Sequence, residues 1–131
     1  MFDYTGRVVV VSGASSGLGR QMALGYARQG ASVVITARRM EKLEAVAEEI
    51  RALGAEAYPV KCDVTDVESV NAAAKEIKEK YGKVDVLVNC AGSAKNAGVL
   101  DMTDEDWDFT IKTDMTSLFY VTRAFASIMK E

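Results

Sequence analysis

The sequence contains no histidine, one proline and two cysteines in 131 residues. Without histidine, these residues cannot build a Ser-His-Asp or Cys-His catalytic site or a histidine-based metal site. Cys62 and Cys90 form no C-x-x-C pair, and two isolated cysteines are typical of a reducing compartment. Met1–Arg7 shows no signal pattern, and no wholly apolar run is longer than Val8–Val11. We therefore expect a cytoplasmic protein with no metal site, disulfide or membrane segment.

Charge and composition limit the partners of the chain. Sixteen basic and 19 acidic residues give a net charge of −3, and no basic block stands out. We therefore expect no nucleic-acid partner and no anionic membrane partner. Hydrophobic residues make up 49% and charged residues 27%, which is typical of an ordered globular protein. Since a domain has about 150 residues, residues 1–131 are expected to form one.

Short runs of β-branched residues alternate with stretches of helical periodicity. The predicted strands are Val8–Val11, Val33–Ile35, Ala57–Val60 and Val84–Val88. The predicted helices begin near Gly17, Leu43, Val67 and Asp104. The first three helices are followed by glycines suited to left-handed caps, namely Gly30, Gly54 and Gly82. This alternation predicts a Rossmann-like three-layer α/β/α fold with a parallel sheet of order 3-2-1-4, and a ligand crevice between the first and fourth strands.

The last predicted helix runs from about Asp104 to the end of the chain. Thr103 is the predicted N-cap, with Asp106 at capping-box spacing. One apolar stripe consists of Ile111, Met115, Leu118, Thr122, Phe125 and Met129. The apolar arc is widened by Phe119, Val121, Ala124 and Ile128. A helix that is apolar over most of its surface is predicted to be buried on two sides.

A glycine-rich turn, G-x3-G-x-G, follows the first strand and opens the first helix. Backbone N–H groups in such a turn can approach a pyrophosphate, and the positive end of the helix favours its charge. The candidate cofactor-binding residues are Gly13, Ser15, Ser16, Gly17, Leu18 and Gly19. The segment is not a Walker A loop, because no G-K-[ST] follows. The alternative interpretation is a tight turn that needs glycine only for packing.

Four short motifs occur in order along the chain. They are S-G-A-S-S-G-L-G at 12–19, C-D-V at 62–64, N-C-A-G at 89–92 and D-W-D-x-T-I-x-T at 106–113. With these motifs, the whole chain resembles the N-terminal half of the short-chain dehydrogenase/reductase family. Within the family it is most similar to gluconate dehydrogenases and 3-oxoacyl-carrier-protein reductases. The resemblance implies an oxidoreductase that interconverts an alcohol and a carbonyl, of sugar-acid or keto-ester type, with a nicotinamide dinucleotide.

The end of the second strand bears on the choice of dinucleotide. An acidic residue there would bind the ribose hydroxyls and repel a 2′-phosphate. The chain instead reads Ile35-Thr36-Ala37-Arg38-Arg39, and arginine forms charge-assisted bonds to phosphate. We therefore favour NADP(H) over NAD(H), with Arg38 as the first candidate and Arg39 as the second. The alternative is two solvated arginines at the start of the second helix.

The resemblance also implies roles at the ends of the third and fourth strands. Asp63 would hydrogen-bond the adenine amino group, and Val64 would pack against the ring. The alternative for Asp63 is a turn or cap residue ahead of the third helix. Asn89 would steady the sheet at the crevice, with Ala91 beside it, and Gly92 would leave room for the ribose.

Two positions depart from the family pattern. Cys90 stands where the family usually has a second asparagine, and we interpret it as a small buried hydrophobe. Asp114 stands at the position of the family's catalytic asparagine. A carboxylate cannot donate as an amide does, and its charge would alter a proton relay. The alternative is that Asp114 is a polar residue facing water.

Members of the family use a catalytic serine and a tyrosine that is followed four residues later by a lysine. This set is not found here. The five tyrosines are Tyr4, Tyr26, Tyr58, Tyr81 and Tyr120, and the residues four positions later are Val8, Gly30, Cys62, Asp85 and Ala124. We therefore expect a fold truncated before strand 5 and no catalysis by these 131 residues alone. An open edge on the fourth strand and the apolar last helix predict a homo-oligomer or poor solubility.

Overall fold

A parallel sheet forms the centre of the molecule. The computed structural model describes residues 3–15, 17–90 and 100–129. Its strands are β1 (Val8–Ser12), β2 (Ser32–Ala37), β3 (Ala57–Lys61) and β4 (Val86–Asn89). Within the described residues the sheet has the order β3-β2-β1-β4, and every pairing is parallel. The predicted fold class and strand order are therefore confirmed.

Helices cover both faces of the sheet. They are α1 (Gly17–Arg28), α2 (Met40–Ala52), α3 (Val67–Tyr81), α4 (Asp104–Ile111) and α5 (Ser117–Met129). A π-helical turn, Lys112–Thr116, joins α4 to α5. Helices α1 and α2 pack on one face of the sheet, and α3 and α5 pack on the other. In the described part of the chain, no helix is long and apolar enough to cross a membrane.

The valine run of β1 belongs to both layers of the core. Val8 and Val10 pack in the cluster with α3 and α5, whereas Val9 and Val11 pack in the cluster with α1 and α2. This division follows from the alternation of side chains along a strand. Each buried valine contributes about 1.5–3 kcal/mol relative to an exposed one. Continuous apolarity in the sequence therefore reflects burial on both faces.

Several helix ends form where the sequence predicts them, although α2 begins at Met40, ahead of the predicted Leu43. Asp66 accepts a hydrogen bond from the N–H of Glu68 at 3.1 Å and begins α3, and Gly82 ends that helix with φ of 74°. Thr103 Oγ1 accepts from the N–H of Asp106 at 3.0 Å at the start of α4. Gly30 and Gly54 also have positive φ angles, as left-handed caps require. The fourth strand begins two residues later than predicted, at Val86.

The two-sided burial predicted for the last helix is wrong for the described chain. The buried residues of α5 are Ser117, Val121, Phe125 and Ile128, which form one face. Four predicted apolar positions are exposed instead, namely Met115, Leu118, Phe119 and Met129. The π-helical turn has a longer repeat than an α-helix, so a stripe drawn with uniform α-helical spacing does not match the buried face.

The two edges of the sheet differ in chemistry. At the β3 edge, Pro59 lacks a backbone N–H, and the Tyr58 hydroxyl donates to Glu76 of α3 at 2.5 Å. At the β4 edge, Val86–Val88 is half-buried and contains neither proline nor charge. Proline and charge are the usual means of blocking an edge, so β3 resists further pairing and β4 does not.

A cluster of charges closes the amino-terminal end of the sheet. Asp85 Oδ2 accepts from the N–H of Val8 at 2.7 Å and lies 3.0 Å from Lys83 Nζ. Arg7 Nη1 lies 3.7 Å from Asp85 Oδ1, and Lys83 Nζ also donates to the carbonyl of Gly6 at 2.8 Å. The bond from Val8 outweighs the effect of burial and, with Lys83 and Arg7, lowers the pKa of the Asp85 carboxyl.

Replacing Asp85 tests this cluster. Asp85→Ala is expected to lower the free energy of unfolding at neutral pH by about 1.5–3 kcal/mol, the usual worth of hydrogen bonds to a charged group. Because the pKa is lowered on folding, the contribution is present above the unfolded pKa of aspartate. It is lost as the pH falls through the folded value. Urea unfolding at pH 7 and at about pH 3 measures both effects.

The control for this test is the exposed Asp101, whose replacement by alanine is expected to change stability little at either pH. A difference between wild type and Asp85→Ala that is the same at both pH values would contradict the assignment.

Candidate functional site

The carboxyl ends of the strands form the candidate site. From β1 the chain moves outward through β2 and β3, then crosses back to place β4 on the other side of β1. Strand order therefore reverses between β1 and β4. Ligands of open α/β sheets bind in the crevice at such a reversal. The sequence-predicted residues of the described chain follow strand ends or lie in the glycine turn and the π-helical turn.

The glycine turn is tied to the end of β2. The N–H groups of Gly13 and Ala14 both donate to the carbonyl of Thr36, at 2.9 and 3.2 Å. Gly13 and Gly17 have φ angles of 72° and 59°, a region that favours glycine. The turn thus has a fixed position relative to two neighbouring strands.

Gly19 allows the turn to pack directly on α1. A Cβ atom at this position would lie 2.1 Å from the carbonyl oxygen of Gly13 and 3.1 Å from the Cα of Ala14. Real Cβ atoms do not come within 2.1 Å of a carbonyl oxygen, so backbone fills the space that a side chain would need. The packing role considered for the glycines is therefore present at Gly19.

The start of α1 is accessible and carries no opposing charge. Gly17 and Leu18 are exposed, Ser15 is half-buried, and the first turn of α1 contains no acidic residue. The amino-terminal end of a 12-residue helix carries partial positive charge, which favours an anion. Ser16 was also predicted for this site and lies outside the described residues.

Two arginines follow β2, and both are exposed. Arg39 precedes α2 as its N-cap residue, and its carbonyl accepts from the N–H of Leu43 at 3.2 Å. Arg38 lies one residue nearer to the sheet. Because the N–H of Cys62 donates to the carbonyl of Ala37 at 2.9 Å, Arg38 and Asp63 both follow the last bonded pair of β2 and β3.

The carboxylate of Asp63 stabilises the turn after β3. Its Oδ1 accepts from the N–H of Thr65 at 3.0 Å and from the Thr65 hydroxyl at 2.6 Å, and its own N–H donates to Ser69 Oγ at 3.0 Å. The turn role considered for Asp63 is thus present, although Oδ2 takes no part in those bonds. Val64 beside it is buried.

Cations also act on Asp63. The Thr65 hydroxyl has the largest effect on the pKa of the Asp63 carboxyl and lowers it, against a smaller rise from burial. The Thr65 N–H and then the charges of Arg38 and Lys112 lower the pKa further. Lys112 was not among the predicted site residues. It lies on the π-helical turn, where α-helical spacing in the sequence does not indicate which way a side chain faces.

The end of β4 lies beside the glycine turn. Asn89 pairs in register with Ser12 and is exposed, and the N–H of Cys90 donates to the carbonyl of Ser12 at 3.1 Å. Cys90 is half-buried, and burial raises the pKa of its thiol, so the thiolate is disfavoured. Ala91 and Gly92 were predicted to line the crevice and lie outside the described residues.

Asp114 lies within the π-helical turn and is half-buried. Its side chain is therefore not fully exposed to water, contrary to one of the two interpretations. Single π-helical turns inside longer helices frequently occur at functional sites. Among residues 3–15, 17–90 and 100–129, no group of three or more cysteine or acidic side chains could hold a metal ion.

Comparison with known proteins gives one consistent family. The model of the family described as short chain dehydrogenase matches residues 7–131. The 3-oxoacyl-(acyl-carrier-protein) reductase FabG of Staphylococcus aureus is 39% identical over 111 residues, which are 84% of this chain and 45% of that protein. The chain spans about half the length of the curated relatives it matches.

Solved structures agree with this comparison. A metagenomic short-chain oxidoreductase in complex with NADP has a TM-score of 0.90 and 40% identity, over 95% of this chain and 57% of the other. A 7α-hydroxysteroid dehydrogenase complexed with NADH and a 7-oxo bile acid has a TM-score of 0.91 and 31% identity, over 98% and 50%.

The packing of Gly19 yields a direct test. Gly19→Ala is expected to destabilise the chain by about 1–3 kcal/mol or more, because the added methyl group meets backbone that must shift. Gly25→Ala in the same helix is the matched control, since nothing lies within 4 Å of its added Cβ. Alanine is the better helix former, so the control should be stable or gain roughly 0.8–1 kcal/mol.

Thermal and urea unfolding of both variants measure these effects. Equal stability of the two variants would contradict the close packing of the turn on α1.

Proposed function

The chain belongs to the short-chain dehydrogenase family, and we propose that it is the NADP(H)-binding half of an oxidoreductase that interconverts an alcohol and a carbonyl. The observation that supports this most directly is the glycine turn at the strand-order reversal. It brings open backbone and the positive end of α1 to the carboxyl ends of β1 and β4. A Cβ at Gly19 would fill space that the turn's own backbone occupies. The exposed Gly17 and Leu18, in a first helical turn without an acidic residue, fit an anionic group such as the pyrophosphate of a dinucleotide.

The pyrophosphate is proposed to lie over the glycine turn. There the backbone N–H groups at the start of α1 favour its charge, whereas those of Gly13 and Ala14 are bonded to the Thr36 carbonyl and hold the turn in place. The residues proposed for this end of the site are Gly13, Ser15, Ser16, Gly17, Leu18 and Gly19. When bound, the nicotinamide ring supplies the chemistry by accepting or giving a hydride.

The adenosine is proposed to lie at the ends of β2 and β3. Asp63 offers Oδ2 to the adenine amino group while Oδ1 stays with Thr65, and Val64 forms the floor under the ring. Asn89, with Ala91 and Gly92, lines the nicotinamide side.

A preference for NADP(H) is proposed from charge. One similar structure contains NADP and another NADH, so family membership alone leaves both open. Arg38 and Arg39 follow β2 with exposed guanidinium groups and no acidic neighbour between them and the strand. An arginine there attracts the 2′-phosphate by charge-assisted hydrogen bonds. Arg38 has the stronger claim, because it adjoins the sheet and acts on Asp63.

Catalysis is proposed to need residues that these 131 do not supply. No tyrosine is followed by a lysine four residues later, so the tyrosine–lysine pair that the family uses for proton transfer is absent from these 131 residues. Asp114 is proposed to lie at the active-site side, in the position of the family's asparagine, where its charge alters the proton relay. The proposed substrate is a small carbonyl or alcohol of sugar-acid or keto-ester type.

Replacing Arg38 tests the cofactor site. Arg38→Ala is expected to raise the Kd for NADPH about tenfold or more, because a charge-assisted phosphate contact is lost. The Kd for NADH should change by less than about twofold. Binding is measured by titration calorimetry at fixed salt. Arg28→Ala, on the exposed surface at the far end of α1, is the matched control.

Two outcomes would contradict the proposal. Absence of binding of either dinucleotide at millimolar concentration would remove the proposed site. Turnover of a carbonyl substrate with NADPH by residues 1–131 alone would place the proton donor within this chain.

A second candidate role is self-association, and one observation supports it specifically. An unblocked β4 edge occurs together with exposed Leu118 and Phe119 on α5. Large apolar side chains left exposed beside an unblocked strand suit a contact with another chain. We propose that a second copy of the chain covers them, giving a cytoplasmic homo-oligomer.

Sedimentation velocity measures this association. Wild type is expected to sediment as a dimer or larger species, and Phe119→Glu should weaken association by roughly tenfold or more, because it buries a charge. Ala72→Glu adds the same charge to an exposed position of α3 and should leave association unchanged. A wild-type monomer at high concentration would contradict the proposal.

A further inference from the structure

The backbone of Lys112 marks the point at which the helical register changes between α4 and α5. Its N–H donates to the carbonyls of Asp108 and Phe109, and the first of these lies four residues earlier, as in an α-helix. Its carbonyl accepts from the N–H of Ser117, five residues later, as in a π-helix. The turn closed by this bond therefore contains one residue more than an α-helical turn.

The side chain of Lys112 reaches across the same turn to Tyr120 of α5. Its Nζ donates to the Tyr120 hydroxyl at 3.1 Å and lies 4.8 Å from the centre of the ring. The contact thus combines a hydrogen bond with a cation–π interaction. Both residues are half-buried, and Tyr120 packs against the core cluster that α3 and α5 share. The contact is therefore partly shielded from water, which strengthens it.

The spacing of this contact depends on the π-helical turn. In an uninterrupted α-helix seven residues make about two turns, so residues seven apart face the same side. Lys112 and Tyr120 are eight residues apart and would there be separated by about 80° around the axis. The extra residue in the π-helical turn brings them to the positions of residues seven apart. A helical tyrosine also points back towards the amino-terminal end of its helix, and so towards Lys112.

The register of this turn sets the direction of two features. Helix α5 is held by its buried Val121, Phe125 and Ile128, whereas α4 has no buried residue in the described part of the chain. The way in which α4 is rotated relative to α5 therefore depends on the turn between them. Asp114 lies within the turn, so the register also sets the direction in which its side chain leaves the helix.

We propose that Lys112 and Tyr120 form a clasp that selects the π-helical register and so act as positioning residues for Asp114 and α4. A contact that forms in only one of two conformations stabilises that conformation by its own free energy. The clasp exists without a bound dinucleotide, so its test is independent of the proposed function. A chain that binds no dinucleotide would contradict the proposed function and leave this inference standing.

The test uses amide hydrogen exchange of the Ser117 N–H, whose bond to the Lys112 carbonyl closes the turn. Lys112→Met keeps the apolar stem and removes the charge, and it is expected to speed this exchange by about five- to thirtyfold. Lys112→Arg should restore the rate to within about twofold, since a guanidinium also donates to a hydroxyl and stacks on a ring. Lys75→Met, at an exposed position of α3, is the control and should match wild type.

The register itself is read from the NMR coupling across the hydrogen bond from Ser117 N–H to the Lys112 carbonyl. Wild type is expected to show this coupling, because an α-helical turn would pair Ser117 with the next carbonyl along the chain. Lys112→Met should weaken it. Loss of the coupling without faster exchange would mean that the turn has passed to the α-helical register, which also supports the clasp.

A double replacement distinguishes the clasp from a general loss of stability. In a Tyr120→Leu background the effect of Lys112→Met should fall below about twofold, because the partner is already absent. The N–H of Phe125, further along α5, should exchange at the wild-type rate in Lys112→Met. Thermal unfolding establishes that each variant is folded.

Four outcomes would overturn the inference. One is the absence of the Ser117–Lys112 coupling in wild type. Another is a Lys112→Met variant that keeps this coupling and exchanges Ser117 within about twofold of wild type. The third is an equal increase in exchange at Phe125, which would show a global effect. The last is an unchanged effect of Lys112→Met in the Tyr120→Leu background.

Discussion

Backbone pairing of β1 on both of its sides is the constraint on which the rest of the structure depends. The strand bonds to β2 and to β4, and its four valines divide between the two core clusters. No other described strand has neighbours on both sides and complete burial. Because β1 is paired along both edges and packed on both faces, the turn that leaves it at Gly13 has a fixed position, and so has the start of α1.

Much of the fold could be predicted because it rests on local patterns. Valine runs, helical spacing and glycine stops each depend on a few neighbouring residues, and the strand order follows from their alternation. The register of α5 could not be predicted, since the π-helical turn before it breaks the periodicity on which the stripe from Ile111 to Met129 was based. The surroundings of Asp63 could not be predicted either, because they include residues that are distant in the sequence. Thr65 is local, but Lys112 is distant in the sequence, and its charge lowers the pKa of the Asp63 carboxyl only in the folded chain.

The candidate site differs from the chain as a whole in the sign of its charge. The chain has a net charge of −3, yet Arg38, Lys112 and the positive end of α1 gather near the carboxyl ends of the strands. Asp63 is an acidic residue within this group, and Thr65 uses one of its oxygens for the turn. The acidic surplus lies elsewhere, as in the first turn of α4, where three acidic residues occupy the end of a helix that favours them. The candidate site is therefore locally positive, although the chain as a whole carries a negative net charge.

The unequal edges of the sheet also limit how copies of the chain can be arranged. An open-ended fibre needs each copy to offer two different unpaired edges, one to receive and one to extend. Pro59, with the Tyr58–Glu76 contact beside it, removes the β3 edge from that role. Contact through β4 alone presents the same surface on both partners, so it carries two-fold symmetry and is complete once two copies have joined. The single proline of the sequence thus favours closed assemblies over indefinite growth.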